Sequence, residues 1–383
     1  MAIIIFLIIL SILIVVHELG HFAVAKKFGI RVDEFGLGYP PRAKKLFRWK
    51  GTDFTLNWLP FGGFVKIFGE DGIVEPEPEK PEKPELVANS PMPDREQATQ
   101  VLRVPENSFV SKNRGIQAAV LVAGVTMNFL FAWFLISLGF IAGLPSSVNS
   151  SFPVENPQTI VTSVLPNSPA EEAGLKAGDV IVSVSRGALV SSSDAKAKSD
   201  FIASSNGPVI LNIERGKDAL EITAVPEFSK SLGKPIIGVS MDEVGIAKLS
   251  FPNAIWQGLK ITLRLTVLTA EALWNLITQA FQGRASLEGL TGPVGLVGIV
   301  GDASVLGFTY LLSLTALISV NLTLINLLPF PALDGGRLLV VLVEAIARRN
   351  VPASIINALN TFGFALLIFL MVLISIQDVR NLF

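Results

Sequence analysis

The chain contains no cysteine and only two histidines among its 383 residues. The absence of cysteine excludes disulfide bonds, thiolate nucleophiles and cysteine-ligated metal sites. Charged residues make up only 16% of the chain, against roughly 25% in a typical soluble protein. The formal net charge of −1 provides no basic field, so no nucleic-acid partner is expected. Hydrophobic residues reach 50%, which indicates a membrane protein with a smaller soluble part.

Long apolar runs predict four transmembrane helices. They fall within residues 1–27, 115–145, 303–328 and 353–377. A signal peptide is the alternative for the first run, but it lacks a basic start and a small-residue cleavage site. A fifth segment, 251–281, carries charged residues among apolar ones. One or two interfacial amphipathic helices are favoured there over a fifth span.

The connections between the spans differ in charge. Lysines and arginines are concentrated at residues 26–50, before the second span, and between the third and fourth spans. By the positive-inside rule these connections are cytoplasmic, so residues 145–302 and both termini are extracytoplasmic. A bacterial cytoplasmic (inner) membrane is the expected location, with the lipid bilayer as a partner.

The composition of the connections predicts their structure. Apolar runs with Gly turns at 28–70 predict a membrane-associated β region, and the Pro- and charge-rich residues 71–112 predict a disordered cytoplasmic loop. Short β-rich runs predict a compact α/β module at 155–245. Residues 250–300 are expected to form amphipathic extracytoplasmic helices followed by a TGPVG segment.

Both histidines belong to one motif, His17-Glu18-Leu19-Gly20-His21. On a helix, residues four apart share a face, so both imidazoles can reach one Zn²⁺ ion. Glu18 then lies beside the metal, where it can take a proton from the attacking water and pass it to the leaving amine. The alternative is that these are polar residues at a helix end whose hydrogen bonds are made by the backbone or by lipid headgroups. It is disfavoured because polar and ionisable groups next to an apolar span are energetically costly.

A zinc site needs at least one more protein ligand. Because the chain has no third histidine and no cysteine, a carboxylate is the expected ligand, with a backbone or amide oxygen as the alternative. Asp334 is the best-presented carboxylate, since Pro329 and Pro331 prevent a continued helix before it. Its alternative role is to cap the following helix. Asn326, at the end of the third span, could hydrogen-bond a substrate backbone or an oxyanion. Residues 303–345 thus combine the third transmembrane helix with the LDG motif, Leu333-Asp334-Gly335.

These motifs together resemble the site-2 proteases, and most of all their bacterial RseP/RasP type. The resemblance covers nearly the whole chain and is carried by HELGH, NLLPFPALDGGR, LPFGGFVK, Gly124-x-x-x-Asn128, SPAEEAGLKAGDVI and TGPVG. It implies an intramembrane zinc metalloprotease with His17, His21 and Asp334 as ligands and Glu18 as the catalytic base. It further implies that Asn326, Asn128, Gly62 and Gly63 engage the substrate.

The implied fold class is membrane α-helical, with four transmembrane helices, a membrane-associated β-sheet near the active site and an inserted extracytoplasmic α/β PDZ domain. The insertion has room for one PDZ-like module, whereas some family members carry two. It could filter substrates by size, bind a peptide, or act as a folded spacer.

The expected function is regulated intramembrane proteolysis of single-pass membrane proteins, such as anti-sigma factor-like regulators or remnant signal peptides. The resemblance implies that a site-1-type protease makes a first extracytoplasmic cut. Two alternatives stay open: a zinc protease acting at the membrane surface, and a membrane-anchored PDZ scaffold without turnover.

Overall fold

The structure is a computed structural model that describes residues 1–70, 105–150, 152–205, 207–216, 218–229, 233–283 and 291–380. Its helices are α1 (Ala2–Lys27), α2 (Arg114–Ala142), α3 (Pro169–Glu172), α4 (Ala195–Ala203), α5 (Phe251–Phe281), α6 (Pro293–Leu306), α7 (Phe308–Leu327), α8 (Asp334–Ala347) and α9 (Ala353–Arg380). Its strands are β1 (Val32–Trp49), β2 (Thr52–Ile67), β3 (Leu144–Ser147), β4 (Glu155–Val164), β5 (Val180–Arg186), β6 (Leu189–Ser191), β7 (Val209–Arg215), β8 (Asp218–Ala224), β9 (Glu227–Ser229), β10 (Lys234–Ile236) and β11 (Val239–Ala247).

Four helices of the described chain are long and apolar enough to cross a membrane: α1, α2, α7 and α9. The side chain of Asn113 caps α2 by accepting a hydrogen bond from the Ile116 N–H, and Gly143 ends that helix with φ 105°. With the β region and the inserted α/β module described below, these helices confirm the predicted class of a multi-pass membrane helical protein. The charge-rich stretch predicted as a disordered loop lies mostly outside the described residues, at 71–104.

The predicted third span, 303–328, is divided in the structure. Its first residues complete α6, and α7 begins only at Phe308. Gly307 separates the two helices with φ 118°, a left-handed backbone conformation that glycine adopts without a steric penalty. A glycine inside an apolar run gives no hydropathy signal, which is why the break escapes a reading of the sequence. At its other end α7 stops at Leu328, whose ψ of 139° starts an extended segment.

The segment predicted as one or two interfacial helices is a single continuous helix, α5. Its first half packs along α2, where Gly258 closely approaches Ser137 and the Trp133 Nε1–H donates to the Ile255 carbonyl at 2.9 Å. Further along, the Thr269 hydroxyl donates to the Asn321 side chain on α7 at 3.3 Å. The helix is therefore attached to two membrane spans, while its position in the bilayer stays a prediction.

The β region after α1 is an antiparallel pair, β1 and β2, whose register folds back on itself. Phe35 pairs with both Phe54 and Val65, so the first half of β1 lies between the two halves of β2. Residues 63–67 of β2 consequently form one edge of this sheet. That edge runs beside α1, where Gly63 lies close to Ile14 and Val15.

The inserted module is built on a sheet of seven strands. Six follow the order β3-β11-β4-β5-β7-β8, and β6 pairs with β5. Its core consists of buried aliphatic side chains, including Val161, Ile181 and Leu211, with Ile202 of α4 packed among them. The sheet starts earlier than the predicted residue 155, because Leu144–Ser147 pairs with β11. Since β3 follows α2 after Gly143 alone, the module is joined directly to a membrane span.

Candidate metal centre

The two histidines lie on successive turns of α1 and face the same side. Both are nearly buried, with 8% of His17 and 7% of His21 exposed. Their Nε2 atoms are 3.2 Å apart, and their rings meet edge to face. The spacing of four residues in an apolar helix is sufficient to produce this arrangement.

Asp334 reaches the histidines from the first turn of α8. Its Oδ2 atom lies 2.9 Å from Nε2 of His17 and 3.3 Å from Nε2 of His21. Leu333 occupies the N-cap position of α8, and no side chain caps the helix there. Asp334 is therefore the first helical residue rather than the cap, and its carboxylate is directed at the histidine pair.

The two glycines after Asp334 allow α8 to start where it does. A Cβ atom at Gly335 would collide with the backbone carbonyls of Leu327 and Leu328, and one at Gly336 would collide with the carbonyl of Phe330. Any larger residue would force the start of α8 away from the preceding extended segment. The Gly pair thus holds the Asp334 backbone against the end of α7.

The three side chains fit a zinc ion. Two ligand atoms bonded to one tetrahedral zinc at about 2.0–2.1 Å lie about 3.3–3.4 Å apart. The corresponding separations among the Nε2 atoms and the Asp334 oxygen are 2.9, 3.2 and 3.3 Å. Among the described residues, this trio is the group of His, Asp or Glu side chains that converges closely enough to hold a metal ion. Three donors leave a fourth position of a tetrahedral site for water or substrate.

The tautomer of His21 is set by α2. Its Nδ1 atom lies 2.8 Å from the backbone carbonyl of Val120. Because a carbonyl oxygen can only accept, Nδ1 must carry a proton, which leaves Nε2 as the nitrogen that can bind a metal. In the neutral imidazole, Nε2 presents a lone pair towards the Asp334 carboxylate 3.3 Å away, so both groups can act as ligands of one cation.

Two further residues on the same face of α2 complete the surroundings of the trio. At Gly124 a Cβ atom would lie 2.8 Å from Nε2 of His17 and would also collide with His21, so glycine leaves the space that the rings occupy. One turn later, Nδ2 of the fully buried Asn128 lies 3.3 Å from Nδ1 of His17. Val120, Gly124 and Asn128 are spaced four apart and therefore form one continuous stripe facing α1.

Comparison with known proteins identifies the family. A profile of Peptidase family M50 matches residues 5–370. The chain belongs to Peptidase family M50. It is 37% identical to a zinc metalloprotease homologue of Clostridium perfringens over 96% of each chain. It is 28% identical to the zinc metalloprotease RasP of Geobacillus kaustophilus, over 100% of this chain and 98% of the other. It is also 28% identical to the probable protease Eep of Enterococcus faecalis, over 100% and 99% of the two chains.

The match to RasP-type relatives over the full length confirms the expected resemblance, and the family confirms the predicted class of enzyme, a peptidase. The zinc in the names of the relatives agrees with the predicted cofactor. Among solved structures, the chain is similar to the PDZ domain of an SdrC-like protein from Listeria monocytogenes at 25% identity and a TM-score of 0.20. That similarity covers 23% of this chain and 92% of the other.

In this M50 peptidase, Glu18 lies between the metal trio and the β region. It is half-buried, accepts a hydrogen bond from the backbone N–H of Val65, and lies within electrostatic range of Asp334. Tyr39 on β1 is also close, since burial and the negative charge of Glu18 both raise the pKa of the Tyr39 phenol. The edge of the β sheet therefore meets the proposed base directly.

The remaining predicted site residues lie in different surroundings. Asn326 is half-buried on the last turn of α7, eight residues before Asp334. Gly62 and Gly63 are buried at the bend between the two halves of β2, and Gly62 adopts a φ of 85° beside the Tyr39 ring. Substrate contact by any of these residues stays a prediction.

Sequence reasoning missed the roles of Val120 and Gly124. Val120 contributes a backbone carbonyl, which every residue type has, so its side chain carries no signal. Gly124 could be noticed as a glycine four residues before a buried asparagine in an apolar span. Its function is visible only when α1 is packed against it.

Proposed function

We propose that this M50 peptidase is an intramembrane zinc endopeptidase, with His17, His21 and Asp334 as metal ligands and Glu18 as the general base. The observation that carries this proposal is the convergence of the three donor atoms within 3.3 Å of one another, next to Glu18. Two of the three ligands and the base belong to α1, a helix long and apolar enough to cross the membrane. The reacting bond would therefore be cut within the bilayer or at its edge.

The residues divide the chemistry of peptide hydrolysis among them. A zinc ion, when bound, supplies a Lewis acid that polarises the scissile carbonyl and acidifies water. Glu18 accepts a proton from the attacking water and returns it to the leaving nitrogen, so that one water is consumed and the peptide C–N bond is broken. Asn326 donates a hydrogen bond to the oxygen on which negative charge develops.

The substrate is proposed to be a single-pass membrane protein. A transmembrane helix has its backbone amides already hydrogen-bonded, so it must unwind locally before cleavage. Residues 63–67 lie at a sheet edge beside Glu18, and such an edge can pair with an extended peptide. Gly62 and Gly63, at the start of this edge, would shape the approach of the substrate. By resemblance, the substrates would be anti-sigma factor-like regulators or remnant signal peptides that a site-1-type protease has already cut.

The inserted module is proposed to be an extracytoplasmic PDZ domain that controls access to the site. The SPAEEAGLKAGDVI segment supports this assignment, and in the structure Ser168 caps the short helix α3 before Gly174 reverses the chain with φ 84°. Because β3 follows α2 after one residue, a bulky substrate domain meeting the module would be held at the end of α2, the helix whose residues 120–128 face both histidines. If the module is extracytoplasmic, both termini also lie on the outer side of the bacterial inner membrane.

The test uses purified full-length protein in detergent, its zinc content, and cleavage of a tagged single-pass substrate. Glu18→Gln should retain zinc and lose cleavage, because the amide cannot accept the proton. Asp334→Ala should lose both zinc and cleavage. Glu271→Gln on α5, an exposed carboxylate away from the trio, serves as the matched control and should behave as the wild type.

Four results would contradict the proposal. Cleavage by Glu18→Gln at the wild-type rate would remove Glu18 as the base. Full zinc content in Asp334→Ala would remove that ligand. A wild-type protein that binds zinc but cuts only soluble peptides would favour a protease acting at the membrane surface, and one without any turnover would favour a scaffold.

A further inference from the structure

Asn128 has no surface from which to reach a substrate. Its side chain lies between membrane helices with 0% of the residue exposed. Its backbone carbonyl accepts a hydrogen bond of 2.8 Å from the Ser319 hydroxyl, which joins α2 to α7 at this level. The described neighbour that its side chain meets in a polar contact is His17, at Nδ1 and 3.3 Å.

The contact lies on the opposite side of the His17 ring from the metal trio. Nε2 of His17 faces Asp334 at 2.9 Å, so Nε2 is the nitrogen available for a metal and Nδ1 is the outer nitrogen. An imidazole that binds metal through Nε2 must carry its proton on Nδ1, and that N–H usually donates to a carbonyl or carboxylate oxygen. His21 already follows this rule through the Val120 carbonyl.

The amide of Asn128 can supply the equivalent acceptor to His17. Its oxygen and nitrogen exchange places by a half-turn about the Cβ–Cγ bond, and the two are distinguished only by their hydrogen bonds. Oδ1 is buried and has no hydrogen-bond partner among the described residues, so no competing bond holds this acceptor elsewhere. After the half-turn Oδ1 occupies the position beside Nδ1 of His17.

We infer that Asn128 is a positioning residue, whose side-chain oxygen accepts a hydrogen bond from Nδ1–H of His17 and keeps Nε2 unprotonated and directed at the zinc. This inference rests on the proposed zinc site. The stripe on α2 thus orients both histidine ligands, one through a backbone carbonyl and one through a side-chain amide, with Gly124 providing the space between them.

Two substitutions separate the acceptor from the donor of the amide. Asn128→Leu has nearly the same shape and removes both groups, whereas Asn128→Asp keeps an acceptor oxygen and removes the N–H donors. Thr126→Val, an exposed position on the same helix, is the control for loss of a polar side chain from α2. Zinc affinity is measured on the full-length protein in detergent by competition with a chromophoric chelator, and ligand geometry by the visible absorption of the Co²⁺-substituted protein.

Asn128→Leu should bind zinc about 10–100-fold more weakly, the usual effect of removing a partner that orients a metal ligand, and its Co²⁺ spectrum should change. Asn128→Asp should restore zinc affinity to within a few-fold of the wild type, and Thr126→Val should not differ from it. If the leucine variant does not fold, Asn128→Ala takes its place in the comparison with Asn128→Asp.

Wild-type zinc affinity and an unchanged Co²⁺ spectrum in Asn128→Leu would overturn the inference. An equal loss in Asn128→Asp and Asn128→Leu would also overturn it, because the amide would then act as a donor. A raised KM with unchanged zinc affinity would return Asn128 to a substrate-contacting role. Failure of the wild type itself to bind zinc would instead refute the proposed function, so the two failures are distinguishable.

Discussion

One added methyl group on α2 should weaken zinc binding strongly. Gly124→Ala would place a Cβ atom 2.8 Å from both Cε1 and Nε2 of His17, and it would also collide with Nε2 of His21. Neither neighbour is the end of a flexible chain. Both are the imidazoles that would have to hold the zinc, and each is restrained on its far side by Val120 or Asn128.

The size of the effect follows from the distances. To reach ordinary van der Waals contact at 3.4 Å, the His17 ring would have to retreat by about 0.6 Å, and the His21 ring further. A metal site tolerates deviations of about 0.2 Å in its bond lengths. The alternative, separation of α1 from α2, would break the close approach of Gly20 to the Ala123 carbonyl. We therefore expect zinc affinity to fall by about 100-fold or more, which corresponds to roughly 2.8 kcal/mol.

The measurement is zinc content and zinc affinity of the purified full-length variant, with cleavage of a tagged membrane substrate as a second readout. Gly115→Ala is the matched control on the same helix, because the nearest atom to its added Cβ would be Asn113 Oδ1 at 3.4 Å. Size-exclusion behaviour and helical circular dichroism establish that both variants are folded.

A folded Gly124→Ala protein with wild-type zinc affinity and wild-type cleavage would contradict this prediction. Such a protein would show that the histidines hold the metal in positions other than those described. A folded variant that loses zinc while Gly115→Ala retains it would support the geometry of the trio.

Three further predictions concern the metal, the inserted module and the contact between α6 and α9. Chelation should lower the melting temperature, since zinc at 100 times its Kd stabilises the folded state by about 2.7 kcal/mol, and an unchanged melting temperature would argue against a bound metal. Arg215→Leu should destabilise the module by roughly 3 kcal/mol in protease-resistance titrations, because it leaves the buried Asp179 carboxylate without the cation 2.7 Å away. Asp378→Ala should expose the start of α6, because that carboxylate accepts hydrogen bonds from Gly292 and Gly295. Faster hydrogen exchange at those two amides would be observed, with Asp378→Asn less affected.

Several features of this protein could be predicted from local spacing alone. Two histidines four residues apart in an apolar helix must share a face, and the structure places their Nε2 atoms 3.2 Å apart. Helix length against membrane thickness was enough to locate α1, α2 and α9, because hydropathy is a sum over neighbouring residues. Hydropathy did not reveal the break at Gly307, where a single φ angle divides the predicted third span.

The third donor of the trio was reached by elimination. With cysteine absent and both histidines used, a carboxylate had to be sought, and Asp334 follows a segment that Pro329 and Pro331 keep out of a helix. The structure brings its Oδ2 atom to 2.9 Å from His17. That distance depends on how α7 and α8 pack against α1, and no local pattern specifies it.

The sequence therefore determined the set of groups available for chemistry. These are two imidazoles and a carboxylate on one helix turn, and Asp334 after a non-helical segment. The orientation of those groups depends on how the helices pack. Val120 acts through a carbonyl that every residue has, Gly124 acts through the absence of a side chain, and Asn128 meets a histidine instead of solvent. Such roles exist only between packed helices, because they depend on the distance from one helix to the next and not on the chemistry of either helix alone.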